Sequence, residues 1–78
     1  MVVMRVHLEK REPKQNISRY YRMSVLPNLF GEWTLQRNWG RIGQDGQVRL
    51  DLFFSQCEAE DALKELAYAK QNRDYEKV

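Results

Sequence analysis

One cysteine, one histidine, two prolines and no long apolar run occur among the 78 residues of this sequence. Each shortage closes a class of function. With Cys57 alone, no intrachain disulfide can form, and a domain this small without a disulfide framework fits a reducing cytoplasm better than secretion. With His7 alone, and no Ser, Cys or second His set to form a relay, the sequence offers no nucleophile triad and no zinc spacing. No phosphate-cradling glycine loop is present. No segment approaches the ~20 apolar residues that cross a bilayer. The opening Met1-Val-Val-Met-Arg-Val-His7 has no cleavage site of small residues, so it does not read as a signal peptide. These shortages lead us to expect a soluble cytoplasmic protein with no cofactor, no metal, no catalytic residue and no membrane contact.

What is present fits a single small domain over residues 1–78, with a core over about 3–73 and a tail from 74 to 78. A chain of this size buries a modest share of its unfolded surface, so a large enclosed cavity is not expected. Function must sit on the surface or between chains. The net charge of +2 does not by itself suggest nucleic acid, but its distribution is uneven. Residues 1–54 hold nine Lys/Arg against five Asp/Glu, and residues 55–78 hold four against six. The first part is basic and the last part acidic.

Alternation of apolar and polar residues marks four strands. Val3 to Lys10 places Met4, Val6 and Leu8 on one face. Arg19 to Leu26 does the same with Tyr21, Met23 and Val25. Trp33 to Ile42 and Gln47 to Phe53 complete the set, and Asp45-Gly46 between them suits the positive φ of a tight hairpin. Arg11 to Asn16, polar and holding Pro13, reads as a loop. Pro27-Asn28 interrupts the second strand, because proline donates nothing to a ladder. Leu29-Phe30-Gly31 reads as apolar bulk folding back over the core. A helix follows: Ser55-Gln-Cys-Glu58 has the capping-box spacing, and Glu58, Glu60 and Asp61 crowd the positive end of its dipole. Those carboxylates are explained by the helix start and need no metal or acid–base role. Ala59, Ala62, Leu63, Leu66 and Ala67 form a stripe suited to a sheet. The helix is expected to fray near Asn72. Strands first and one helix last predict an α+β fold, an antiparallel sheet of about four strands with a C-terminal helix on one face.

The functional corner is Gln36-Arg37-Asn38-Trp39-Gly40-Arg41-Ile42-Gly43. Trp39 offers a flat ring, Gly40 lets a backbone or ligand come close, and Arg41 carries five donors shaped for phosphate or carboxylate. Trp39 reads either as a core aromatic or as a stacking platform, with Trp33 the better candidate for the core. Arg37, Arg41 and Arg49 read either as one basic patch or as a solvated face paired with Asp51 or Glu32, and Arg5, Arg19 and Arg22 either extend that patch or keep the outer sheet soluble. His7 reads as a surface strand residue and Cys57 as a half-buried filler.

These residues resemble a WGR domain. The tripeptide Trp39-Gly40-Arg41 is joined by Leu29-Phe30-Gly31, Trp33-Thr-Leu35-Gln-Arg37, Ile42-Gly43, Gly46-Gln47 and the alanine-rich last helix. The likeness runs from about Tyr20 to Tyr75, and the ordered set is more specific than the tripeptide alone. WGR domains occur in poly(ADP-ribose) polymerases, where they help recognise DNA breaks, and in many bacterial proteins. The resemblance implies that Trp39 stacks on the sugar of a terminal nucleotide. It also implies that Arg41 contacts phosphate or a neighbouring domain, with no such domain in this chain. Tyr75 stands where the family often has a closing tryptophan.

Two functions follow as expectations. One is a non-catalytic module recognising DNA ends, nicks or gaps through Trp39, Gly40, Arg41, Arg37 and Arg49, associated with the nucleoid. The other is a protein-interaction adaptor, with Arg41 pairing a partner's carboxylate and an exposed edge strand accepting another strand.

Overall fold

The chain folds into five antiparallel strands crossed on one face by a single helix, in a computed structural model that describes residues 2–78. Met1, within the single domain expected from the sequence, lies outside the described residues. The strands are β1 (Met4–Glu12), β2 (Ile17–Pro27), β3 (Trp33–Arg41), β4 (Gln47–Phe53) and β5 (Glu76–Lys77); the helix is α1 (Gln56–Gln71). Across the sheet the order is β4-β3-β2-β1-β5.

The alternation along β1, β2 and β3 does its work against α1. Leu8, Met23, Val25 and Leu35 lie on the helix side, where Ala59 and Leu63 of α1 meet them. Each such aliphatic side chain, once fully buried, contributes about 1.5–3 kcal/mol. Ala62 and Leu66 sit at the margin of this core and are only partly buried. Ser55 caps α1, its Oγ accepting from the Glu58 amide at 3.2 Å. The capping box is half formed: among the described residues, the Glu58 carboxylate makes no hydrogen bond back to the cap.

Several expectations need correction. The sheet has five strands, because the tail folds: β5 pairs with β1, and the Val78 amide donates to the His7 carbonyl at 3.0 Å. β1 and β2 extend further than their hydrophobic alternation, since the ladder runs out to Glu12↔Ile17. The expected loop shrinks to a 3₁₀ turn at Pro13–Gln15, closed by Asn16 at φ 55°. Leu29 and Phe30 do not fold over the core. The Asn28 side chain accepts from the Phe30 and Glu32 amides at 2.9 Å, closing a turn that projects both side chains into solvent.

Trp33 and Trp39 are both half-buried and both pack on the core, so burial does not separate them. Cys57 is exposed rather than half-buried. In the β3–β4 connection the positive φ belongs to Gly43, at 87°, not to Asp45 or Gly46. Gly46 is needed for a different reason: a Cβ there would collide with the Trp39 carbonyl. A Cβ on Gly40 would lie 2.8 Å from Gly46 Cα. The close approach that Gly40 permits is therefore made by this chain's own backbone.

A candidate nucleic-acid interface beside Trp39

Pairing of β2 with β3 sets Tyr21 directly opposite Trp39 and Arg19 directly opposite Arg41. All four side chains lie on the helix side of the sheet, where Tyr21 is part of the buried core and Trp39 packs against its edge. There they line an open cleft of about 380 Å³, together with Asn16, Tyr20, Gly40, Lys70 and Tyr75 among others. The Trp39 ring lies on Tyr21, centroids 5.7 Å apart and planes within 17°. The last turn of α1 brings the Lys70 ammonium to 4.6 Å from the Tyr21 ring and 5.5 Å from the Tyr75 ring. Both are cation–π distances. Tyr75 is carried there by the chain as it turns from α1 into β5, its amide bonded to the Lys70 carbonyl at 3.2 Å.

The cleft is positive. Arg19, Arg41 and Lys70 line it and no carboxylate does. Ion pairs among the described residues engage Glu9 and Asp51, and none involves these three cations. Two arginines directly opposed on neighbouring strands repel each other. Arg41 has one soft restraint, its Nη2 donating to the Asn16 side chain at 3.4 Å. Burial holds the Lys70 ammonium below the ordinary lysine pKa, and the charges of Arg73, Arg37 and Arg19 push the same way. A site that disfavours its own cation is one that an anion would relieve.

The other two arginines named from the sequence lie elsewhere. Arg37 is opposite Arg49 on β3 and β4, and Asp51 binds both, at 2.8 Å from Arg37 and 3.1 Å from Arg49. Arg37 is largely buried, and its Nη1 lies 3.5 Å from the Tyr21 hydroxyl. It therefore braces the aromatic on which Trp39 rests. Its Nε is buried without a hydrogen-bond partner. The structure thus brings Trp39, Gly40 and Arg41 to the cleft and sets Arg37 and Arg49 around Asp51.

The sequence offers Arg19 only as an extension of the basic patch, beside Arg5 and Arg22, and it marks Lys70, Tyr75 and Asn16 as no part of a site. The signal for Arg19 exists once the β2–β3 register is known. That for Lys70 and Tyr75 requires the place where α1 ends on the sheet.

On the outer face, His7 is less solitary than its count suggests. Its Nε2 lies 3.0 Å from Glu9, while its Nδ1 accepts from Arg22 at 3.3 Å. The contact with His7 and the nearby Arg11 hold the Glu9 carboxyl below the ordinary range. Among the described residues no group of three or more His, Cys, Asp or Glu could hold a metal ion, and no helix is long and apolar enough to cross a membrane.

Comparison with known proteins places these features in a family. The family model described as WGR domain matches residues 4–78. An uncharacterized protein, y4dW, of Sinorhizobium fredii is 41 % identical over 71 residues. The alignment covers 91 % of this chain and 35 % of that relative, so the chain spans about a third of the relative's length. No solved structure matches.

Proposed function

The chain belongs to the WGR domain family, and from that premise we propose that it is a non-catalytic module that binds the ends of broken DNA in the Trp39 cleft. The observation that carries this reading is the joining of three cations, none in an ion pair among the described residues, to a stacked pair of aromatics, with no carboxylate lining the cleft. A terminal nucleotide exposes a sugar and base face that an internal one keeps stacked, and Trp39 offers the surface to receive it. Stacking of this kind contributes about 1–3 kcal/mol per base. Arg41, Arg19 and Lys70 hold the adjoining phosphates. Gly40 keeps the strand close to Gly46, which fixes where Arg41 begins. Arg37 acts through Tyr21 as a positioning residue. Arg49, exposed and shared with Asp51, contributes at most to the flank.

The variants Trp39→Ala and Arg41→Ala test the assignment, using a labelled open-ended duplex and fluorescence anisotropy over a range of salt. With about three phosphates neutralised, the slope of log K against log salt should be near −3 for the wild type. Arg41→Ala should weaken binding and flatten that slope by about one, whereas Trp39→Ala should weaken binding with the slope retained. Binding unchanged in both variants would remove the cleft from the account. The competing adaptor reading, in which Arg41 meets a partner's carboxylate, predicts no DNA affinity and a pull-down that survives nuclease.

A further inference from the structure

β4 closes the sheet on the side away from β5, so one row of its backbone groups faces no strand of the described chain. Edge strands are commonly blunted by proline, lysine, inward-pointing charges, a bulge or brevity. β4 has no proline, lysine or bulge: Gln47-Val-Arg-Leu-Asp-Leu-Phe53 runs seven residues, and its register against β3 is unbroken from Trp33↔Phe53 to Trp39↔Gln47. Its two inward charges, Arg49 and Asp51, are of opposite sign and pair with each other. The other side of the sheet is treated differently, with β1 covered by β5 over Leu8 and Glu9.

The outer face of β4 is apolar and open. Val48, Leu50 and Leu52 are 55 %, 61 % and 62 % exposed. Their cross-strand neighbours on β3 are Asn38, Gln36 and Thr34, so the rest of the sheet does not extend the apolar row. On the helix side, the same strand carries Arg49 and Asp51. We infer that β4 pairs antiparallel with β4 of a second copy of this chain, about a two-fold axis through Leu50.

The sequence of the strand selects this arrangement. With Leu50 opposite the partner's Leu50, Val48 faces the partner's Leu52 on the outer side. On the helix side, Arg49 faces the partner's Asp51, and Asp51 faces the partner's Arg49. At the ends Gln47 faces the partner's Phe53, and every contact recurs on both sides of the axis, as an isologous interface requires. Shifting the register by two residues would set Arg49 against Arg49, or Asp51 against Asp51, on the axis itself. Like charges directly opposed are unfavourable, so the Leu50 register stands apart from its neighbours. Asp51 already bonds Arg49 of its own strand at 3.1 Å, and exchange for the partner's Arg49 leaves it as well satisfied as before. The apolar row becomes two strands wide and is bordered by polar Thr34, Gln36 and Asn38, an apolar centre with a polar rim.

A perpendicular two-fold keeps both helices on one side of the joined sheet. The two Trp39 clefts, which no β4 residue lines, then open on that same side. A pairing of seven residues falls short of the ~1,600 Å² of a standard interface, so the association is expected to be reversible.

Cross-linking tests the register. Opposed Cα atoms in an antiparallel pair lie about 4.5–5.5 Å apart, within disulfide reach. In a Cys57→Ser background, Leu50→Cys should form a covalent dimer under oxidised glutathione. Val48→Cys, about 13 Å from its own copy in this register, should not. Sedimentation of the Cys57→Ser chain from roughly 10 µM upward should show reversible dimers, and Leu50→Lys should raise the dissociation constant about ten-fold or more. Position 50 is exposed, so Leu50→Lys leaves the fold intact. Monomers at every concentration with no Leu50 cross-link would overturn the pairing and leave the edge to another occupant. Cross-linking at Val48 as fast as at Leu50 would overturn the register. DNA binding in the cleft is read separately and stands or falls on its own.

Discussion

Gly40 and Gly46 stand at one corner and meet each other there, which is why neither can carry a side chain. Their contact brings β3 and the start of β4 together and gives the Tyr20 hydroxyl room beside them. It fixes the backbone from which Trp39 and Arg41 project. Lys70 reports on the same corner electrostatically. Its pKa is depressed in the free protein by burial and by Arg73, Arg37 and Arg19, so it loses its proton at a lower pH than an ordinary lysine. A phosphate in the cleft favours the charged form and should raise that pKa. Binding then takes up a proton in the window between the free and bound values, and affinity falls as pH rises through the free value. An NMR titration of the lysine ε-methylene signals, with and without a short duplex, should show one lysine pKa moving up on binding. An unmoved Lys70 would mean that it touches no phosphate. In the sequence, Trp39 and Arg41 were legible because they form part of a compact motif. Lys70 was not, because in the sequence it is one cation in the last turn of a helix, and its position carries no sign of Tyr21 beneath it.

At the scale of elements, α1 both closes the core and delivers Lys70, so its two ends do different work. Ser55 holds the first turn through the Glu58 amide, far along the helix from the cleft. Replacing Ser55 with Ala should cost about 1 kcal/mol, a lowering of Tm by roughly 4–8 °C for a domain of this size. DNA affinity measured well below the transition should be unchanged. Loss of affinity without loss of stability would contradict this division. The strands that bury one face were legible from alternation, because Tyr21, Met23 and Val25 against Arg22 and Ser24 leave little choice of face. Tyr20 breaks that pattern. It is buried on the outer face, where its ring stacks near His7 at 6.5 Å and Arg22 lies over it at 5.4 Å. Only the pairing of β1, β2 and β3 creates that enclosure, so periodicity along β2 alone could not reveal it. β5 was illegible for a related reason: two residues show no periodicity, and the strand exists because the edge of β1 is available.

For the whole molecule, the split of charge along the chain acquires a spatial meaning. The basic first part supplies β1 to β4, and the acidic last part begins as the N-terminal turns of α1, remote from the cleft. The slab measures 46 × 24 × 16 Å, and Trp39 lies half-buried at the margin of the core, where a duplex end can approach without meeting the acidic turns. End recognition is the central claim. The most direct test is fluorescence anisotropy on two labelled duplexes of one sequence, one with an open 5′-phosphorylated end and one closed by hairpins at both ends. Tighter binding to the open end, with the preference abolished in Trp39→Ala, is the predicted result. Equal binding to both duplexes with a steep salt dependence would contradict it, reducing the cleft to a general basic surface.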